Sequence, residues 1–379
     1  MKFLRISFAI IVLLIVICIV AMASLVMFID LNKLKPVLAD EVQKRTGYIL
    51  TVDGDLSWSF YPRLSVSIKH MSLREPNQTQ PFIDLNNIKM AAKLSILLSA
   101  GKNPTGYLYI DQVHLGHLNV SHVSVDLHWQ NKVLTLQPIN AAVYQGTLAG
   151  IAHGRFDDGA PQWDWDVTFE NIQLQPVLAD LNPGSKLKLS GLGQLKLTMS
   201  TQGKDRASMM NHLNGSSEIK ITKGAIDGIN INYLIQTANA VINKQSLPSP
   251  DNLQQTAFDE MSGTAIVKQG VATNHFVLLA PGFTANADGS LNLNNNTIDM
   301  NLNVKPLQNN TPAQAGKEWT VPILVQGDLT HPSINLDMSN IRGMIIKQEI
   351  DKVKEKARQI IKEHLSGKTA TFLQNLLNG

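Results

Sequence analysis

The chain has a single cysteine among its 379 residues, and the familiar short catalytic motifs are missing from it. Because that cysteine is Cys18, no disulfide can form within the chain, and the residues after it can supply neither a thiolate metal site nor a cysteine nucleophile. The sequence contains no GxSxG elbow, no GxxxxGK phosphate loop and no HExxH pair. These absences favour a protein that is not an enzyme and that needs no cofactor.

Charge is also scarce, because only 17% of the residues are charged while 44% are hydrophobic. The excess positive charge lies at the two ends: residues 1–47 carry six basic and three acidic side chains, and residues 342–368 carry eight and four. The body between these ends is mildly acidic. A nucleic-acid-binding protein would carry a basic surface on its folded body, so this distribution argues against nucleic acid as a partner.

Two groups of titratable residues carry only weak signals for chemistry. His114 and His117 would point to opposite faces of a strand, which is poor geometry for a metal, and His122 and His128 are read as surface residues. Asp164 and Asp166 would share one face of a strand, with Trp163 and Trp165 on the other. A solvent-exposed face explains this alternation better than a pair of acid and base catalysts.

A long apolar run is the strongest single feature of the sequence. Ile6 to Ile29 contains no charged residue, and Lys2 and Arg5 precede it. This length predicts a transmembrane helix whose amino terminus stays in the cytoplasm. Cleavage after Ala23 is the alternative, since Ala21-Met22-Ala23 has the small-x-small form of a leader-peptide site, although the run continues beyond it.

Beyond residue 48 the sequence alternates between apolar and polar residues in short runs that are separated by Gly, Asn and Pro. Such runs predict about seventeen antiparallel strands, each with one apolar and one polar side. A sheet of this kind must fold against itself, close on itself or bind something apolar. The residues that would face such an apolar ligand are the apolar members of these runs: Leu64, Val66, Ile68, Leu195, Leu197, Met199, Ile219, Ile221, Met300 and Leu302.

Helical patterns are few. Leu31, Leu34, Leu38 and Val42 share one face of a predicted short helix that ends near Gly47, and a second helix is predicted around residues 229–244. The tail after residue 341 predicts a basic amphipathic helix whose apolar stripe includes Ile346, Ile350, Val353, Ala357 and Ile360. This stripe can pack on the protein's own fold or lie on an anionic membrane or a partner.

Several segments of the sequence together carry a family resemblance. They are the "GDLSWSFYPRLSVSI" segment, Tyr144, Gly146 and Gly150 in "AAVYQGTLAG", and above all "LSGLGQLKLTMSTQG" to "KGAIDGINI". A closing region that includes "VPILVQGDLTHPSINL" belongs to the same set, which covers nearly the whole chain. In these segments the chain resembles the AsmA family of bacterial envelope proteins.

The resemblance implies an anchor in the inner membrane, a β-rich body in the periplasm and a role in outer-membrane biogenesis, with phospholipid as the ligand. We therefore expect a mainly β fold: a transmembrane helix at 1–29, a membrane-proximal helix at 30–47, a strongly curved antiparallel sheet forming an apolar groove at 48–180 and 181–340, and the helical tail at 341–379. Trp58, Phe60 and Tyr61 would close one end of the sheet, and Pro62 would blunt its edge strand. The alternative is a scaffold or regulator of outer-membrane protein assembly that has a sealed core and an envelope protein as its partner.

Overall fold

The computed structural model describes residues 31–59, 65–92, 105–157, 159–181, 188–249, 254–307 and 319–364. Seventeen strands dominate these residues, as the alternating runs predict. They are β1 (Ile49–Asp53), β2 (Ser57–Ser59), β3 (Ser65–Arg74), β4 (Ile83–Ala92), β5 (Thr105–Leu115), β6 (Leu118–Gln130), β7 (Val133–Val143), β8 (Gly146–Arg155), β9 (Gln162–Gln173), β10 (Lys188–Gln202), β11 (Asn214–Asp227), β12 (Gln255–Lys268), β13 (Val271–Ala280), β14 (Phe283–Asn292), β15 (Thr297–Pro306), β16 (Val321–Asp328) and β17 (His331–Leu336).

The strands form one antiparallel sheet in which chain order is also spatial order. Each strand from β3 to β16 pairs with the next strand along the chain, up to β17. At the other edge, β1 and β2 pair with opposite ends of β3. The sheet is therefore a long meander that is not closed on itself.

One face of the sheet is apolar and carries two large packed clusters. The N-terminal cluster draws buried residues from β1 to β9, among them Leu50, Leu108 and Trp163. The C-terminal cluster draws them from β11 to β16, among them Phe283 and Ile323, together with residues of two helices. Alternation places the apolar residues on one face of the sheet, because every second residue of a strand points to the same face.

Few helices accompany the sheet in the described residues. A 3₁₀ turn (Leu31–Lys33) leads into α1 (Leu34–Thr46), and the others are α2 (Leu174–Leu181), α3 (Arg206–Asn211), α4 (Ile231–Ile242) and α5 (Met338–His364). The predicted first helix is confirmed: Leu38 and Val42 are buried, and Gly47 ends α1 with a left-handed φ of 75° that favours glycine. The helix predicted around residues 229–244 is confirmed as α4, where the Asn230 side chain accepts a hydrogen bond from the Tyr233 N–H at 3.0 Å.

The start of α5 corrects one expectation from the sequence. The alternation in "PSINLDM" predicts that Met338 continues the last strand, but β17 ends at Leu336 and Met338 begins α5. The reason is local: Oδ1 of Asp337 accepts hydrogen bonds from the N–H groups of Ser339 at 3.0 Å and Asn340 at 3.1 Å. This cap satisfies the first donors of the helix and ends the strand.

The tail helix corrects a second expectation. If the apolar stripe packed on the fold, its members would be buried, but Ile346, Ile350 and Val353 are 59%, 50% and 67% exposed. The packing interpretation is therefore wrong for these three residues. Burial in α5 is found instead at Ile341 and Ile361.

In the described parts of the chain, no helix combines the length and the hydrophobicity that crossing a bilayer requires. The segment from Ile6 to Ile29, with Cys18 and Ala23, lies outside those parts. The same is true of Leu64 and of Phe60, Tyr61 and Pro62. Trp58, the remaining aromatic residue of that group, lies in β2 and packs against the N-terminal cluster.

On the polar face, His70 joins three strands through two carboxylates. Its Nδ1 lies 2.8 Å from Oδ2 of Asp53 in β1, and its Nε2 lies 2.7 Å from Oδ2 of Asp84 in β4. Nδ1 of His114 approaches the other oxygen of Asp84 at 3.7 Å. The hydrogen bond that Asp84 accepts from the ring, and to a smaller extent the one that Asp53 accepts, raise the pKa of His70 above its usual value against the opposing effect of burial.

Replacing His70 by Gln is expected to destabilise the protein more at about pH 5.5 than at about pH 9. A raised pKa in the folded state means that charged His70 contributes its full stabilisation below the ordinary histidine pKa, and the contribution is lost as pH rises through the raised value. Urea unfolding of both proteins at the two pH values measures the difference. His117→Gln is the matched control, because His117 is exposed in the turn between β5 and β6. If His70→Gln lowered the free energy of unfolding by the same amount at both pH values, the prediction would be contradicted.

Candidate functional site

A continuous row of residues crosses the apolar face from β2 to β17, with one residue from each strand. Directly paired residues on neighbouring strands project from the same face, so the pairing register defines the row. Its members, in order, are Trp58, Val66, Met90, Leu108, Val125, Ile139, Gly150, Val167, Leu197, Ser217, Ala265, Asn274, Gly289, Met300, Val325 and Ile334. We call this set the central row. With strands about 4.8 Å apart, it extends about 70 Å along the sheet.

Coverage of the central row changes along its length. From Val66 to Val125 every member is buried, and the row is packed into the N-terminal cluster. From Ile139 to Ser217, on strands β7 to β11, every member is partly exposed. Ala265, Asn274 and Met300 are again buried. The middle of the apolar face is therefore open. The row is covered from Val66 to Val125 and again at Ala265, Asn274 and Met300, whereas Gly289, Val325 and Ile334 are partly exposed.

A second row runs beside the central row from β9 to β15 and stays partly exposed throughout. Its members are Phe169, Leu195, Ile219, Gly263, Phe276, Ala287 and Leu302. Gly263 has a specific role here, since a β-carbon at that position would overlap the ring of Phe276. The ring of Phe276 thus covers the glycine and continues the apolar surface across β12.

The two rows together define the candidate site. We call Val167, Phe169, Leu195, Leu197 and Ile219 the open patch: five partly exposed apolar residues on the adjacent strands β9, β10 and β11. The opposite side of β10 carries the exposed residues Gln194, Lys196 and Thr198. The open patch therefore offers an apolar surface without charged side chains, which suits hydrocarbon rather than a polar ligand.

Helix α2 borders the open patch at one end of the strands. Leu174 packs against the C-terminal cluster, and Val177 packs with Phe169 against Ala141 and Val143. A polar contact holds α2 in place: the Tyr144 hydroxyl donates to Oδ2 of Asp180 at 2.6 Å and accepts from the Asn119 N–H at 3.3 Å. Burial, together with the Asp180 carboxylate, raises the pKa of Tyr144 to about 12, so the hydroxyl remains a donor at physiological pH.

At the other end of the strands the border is apolar. Met199 packs with Leu213 against Ala265 and Val267, and Trp165 packs against the N-terminal cluster. Helix α3 is fixed nearby, since the buried Thr201 hydroxyl donates to the Met209 carbonyl oxygen. The open patch is thus framed on both sides.

The sequence-predicted site residues separate into three groups. Leu195, Leu197, Met199, Ile219 and Leu302 are partly exposed on the apolar face, and three of them belong to the second row. Val66, Ile68, Ile221 and Met300 lie on the same face but are buried. Leu64 lies outside the described residues. Contact of any of them with lipid remains a prediction.

Sequence reasoning missed the β9 contribution to the open patch. Val167 and Phe169 belong to the run "WDWDVTFE", which was considered only for its carboxylates. Trp163 is indeed buried while Asp164 is exposed, so the alternation identified the faces correctly. Continuing that alternation beyond Trp165 would have placed Val167 and Phe169 on the face of Trp163. Their pairing with Leu197 and Leu195 is known only from the structure.

The described residues contain no group of three or more His, Cys, Asp or Glu side chains that could hold a metal ion. His114 lies near the end of β5, whereas His117 lies in the following turn rather than on the strand. The strand geometry assumed for His117 is therefore wrong.

Comparison with known proteins gives two matches. The model of the AsmA family matches residues 1–100 and 107–277, which includes the whole of the open patch and ends within β13. "Protein AsmA" of Escherichia coli (strain K12) is 29% identical over 216 residues, which is 52% of this chain and 33% of that protein. Of the closing region, the part after residue 277, which includes "VPILVQGDLTHPSINL", lies beyond the family match. No solved structure matches the chain. Since the family model matches more than half of the residues, the chain belongs to the AsmA family.

Proposed function

We propose that this protein is anchored in the inner membrane and binds phospholipid acyl chains on the apolar face of its periplasmic sheet, in support of outer-membrane biogenesis. The observation that carries the proposal is the open patch. Removing apolar area from water contributes about 25 cal/mol per Å² before the costs of association, so a partly exposed apolar surface favours an apolar ligand. The proposed role is binding and transfer without chemical conversion of the lipid.

The proposal includes a sheet that curves around its apolar face, so that this face could enclose an acyl chain. The described helices cover only parts of that face, yet both large clusters are well buried. Curling of the sheet would account for this burial, since sheets twist and coil readily. The central row then follows the floor of a groove, and the open patch is the part of the floor that a ligand can reach.

The family and the first residues of the chain support the proposed location. AsmA-family membership supports an envelope protein, and the uncharged run from Ile6 to Ile29 after Lys2 and Arg5 supports a single anchor with a cytoplasmic amino terminus. Phospholipids of the inner membrane would then be the nearest source of ligand.

A second candidate function is a scaffold that assists outer-membrane protein assembly. It is favoured by the buried parts of the central row, where Val66, Leu108 and Met300 leave no apolar surface for a ligand. In that case the open patch would be a local contact surface for an envelope protein.

Photo-crosslinking inside cells distinguishes lipid binding from the scaffold function. A photoreactive amino acid at Leu197 is expected to label phospholipid at least about tenfold more than the same amino acid at Thr198, because these neighbours in β10 project to opposite faces. Labelling of a protein at Leu197, without lipid, would favour the scaffold. Equal lipid labelling at both positions would contradict a specific groove.

A further inference from the structure

The tail helix α5 exposes an apolar stripe that the proposed lipid site does not use. Ile346, Ile350 and Val353 are half or more exposed, and their i, i+4, i+7 spacing places them on one side of the helix. Three adjacent large apolar side chains on a charged helix form a surface that water solvates poorly.

The orientation of α5 is fixed by its first turns. Ile341 is fully buried in the C-terminal cluster, and Ile345 packs against the same cluster. Further along, Nζ of Lys244, just after α4, lies 2.9 Å from Oε1 of Glu349. Together with the Asp337 cap, these contacts hold the stripe facing outward, because rotating it inward would expose Ile341.

Basic residues border the stripe on both sides. On a helical projection Lys347 and Lys354 follow one border, while Arg342 and Lys356 follow the other. Two of the acidic residues are engaged within the protein: Glu349 with Lys244, and Glu355 with Arg358 at 3.1 Å. The surface around the stripe is therefore positively charged.

We infer that α5 binds the surface of an anionic phospholipid bilayer. The apolar stripe would enter the boundary between headgroups and acyl chains, and the flanking Lys and Arg side chains would bind lipid phosphates. Charge complementarity selects this occupant, since a second copy of the basic helix would be repelled. The inference concerns different residues from the open patch, so either can fail alone.

The test uses the full chain in nanodiscs of phosphatidylcholine. The bilayer of the nanodisc is intended to hold the N-terminal apolar segment. In a Cys18→Ser background, an environment-sensitive NBD dye is attached to Val353→Cys or to Gln359→Cys, the latter exposed on the other side of α5. Vesicles of phosphatidylcholine and phosphatidylglycerol in equal parts are then added, or vesicles of phosphatidylcholine alone. We expect a blue shift and a rise in emission at position 353 with anionic vesicles, little change at position 359, and reversal by salt.

A pair of charge-matched variants makes the test sharper. Ile350→Glu is expected to weaken co-flotation with the anionic vesicles by about tenfold or more, and Gln359→Glu by far less. Both positions are exposed, so circular dichroism should be unchanged. Equal losses, or an equal dye response to both vesicle types, would overturn insertion of the stripe into an anionic surface. A dye response that depends on protein concentration without vesicles would assign the stripe to a second copy and would also overturn the inference.

Discussion

Replacing Leu195 and Leu197 together by Asp is expected to remove co-purifying phospholipid almost completely, by at least about tenfold. Two carboxylates would then lie in the middle of the open patch, and desolvating a charge against hydrocarbon costs several kilocalories per mole. A loss of about 1.4 kcal/mol in binding free energy is already tenfold in affinity, so the effect should be large. Mass spectrometry of lipids released from the natively extracted protein measures it.

The matched control is the pair Gln194→Asp and Ser216→Asp, which adds the same charge to the polar face of β10 and β11. We expect this variant to keep its lipid. Both variants should retain the circular dichroism of the parent, since Leu195 and Leu197 are partly exposed rather than buried. A folded Leu195/Leu197 variant that keeps its full complement of phospholipid would rule out the open patch as the binding site.

The second large effect is expected on stability. Replacing Phe283 by Ala should lower the free energy of unfolding by about 3–5 kcal/mol, because Phe283 has no exposed surface and lies in the C-terminal cluster. That loss is a large fraction of the 5–15 kcal/mol that is usual for a folded domain. Urea unfolding followed by circular dichroism measures the change.

Leu279→Ala is the matched control for Phe283→Ala. Leu279 is in the neighbouring strand β13, four positions earlier in the chain, but it is 43% exposed. We expect Leu279→Ala to lower the free energy of unfolding by less than about 1 kcal/mol. If the two substitutions lower the free energy of unfolding by the same amount, the C-terminal cluster does not contribute to stability in the way its burial implies.

Alternation in the sequence predicted most of the strands and their faces, although it wrongly continued the last strand to Met338. In β10, Leu195, Leu197 and Met199 do share the apolar face, and the described residues form seventeen strands, as expected. Periodicity of two is a local property that any strand imposes on its own side chains. The helix ending at Gly47 was predictable for the same reason, because a left-handed residue is a local requirement.

Coverage of the apolar face could not be predicted in the same way. Ile221 and Ile219 are two residues apart on one strand and one face, yet Ile221 is fully buried and Ile219 is partly exposed. The difference depends on which distant segments pack over each residue, and a local pattern carries no such information. The stripe of α5 is a second example. Its amphipathic spacing was evident from the sequence, but its exposure depends on the burial of Ile341 and the packing of Ile345 against the C-terminal cluster.

The one-dimensional strand order has an evolutionary consequence. Because each strand from β3 onward pairs with its neighbours along the chain, removing or adding one hairpin changes the length of the sheet by about 10 Å and leaves the other pairings intact. The pairing of the strands then adds up along the chain, as in solenoid proteins, and the apolar face is buried in two clusters rather than in one central core. Duplication of hairpins can therefore produce sheets of different reach from one ancestor, with each new strand extending the apolar rows by one further position.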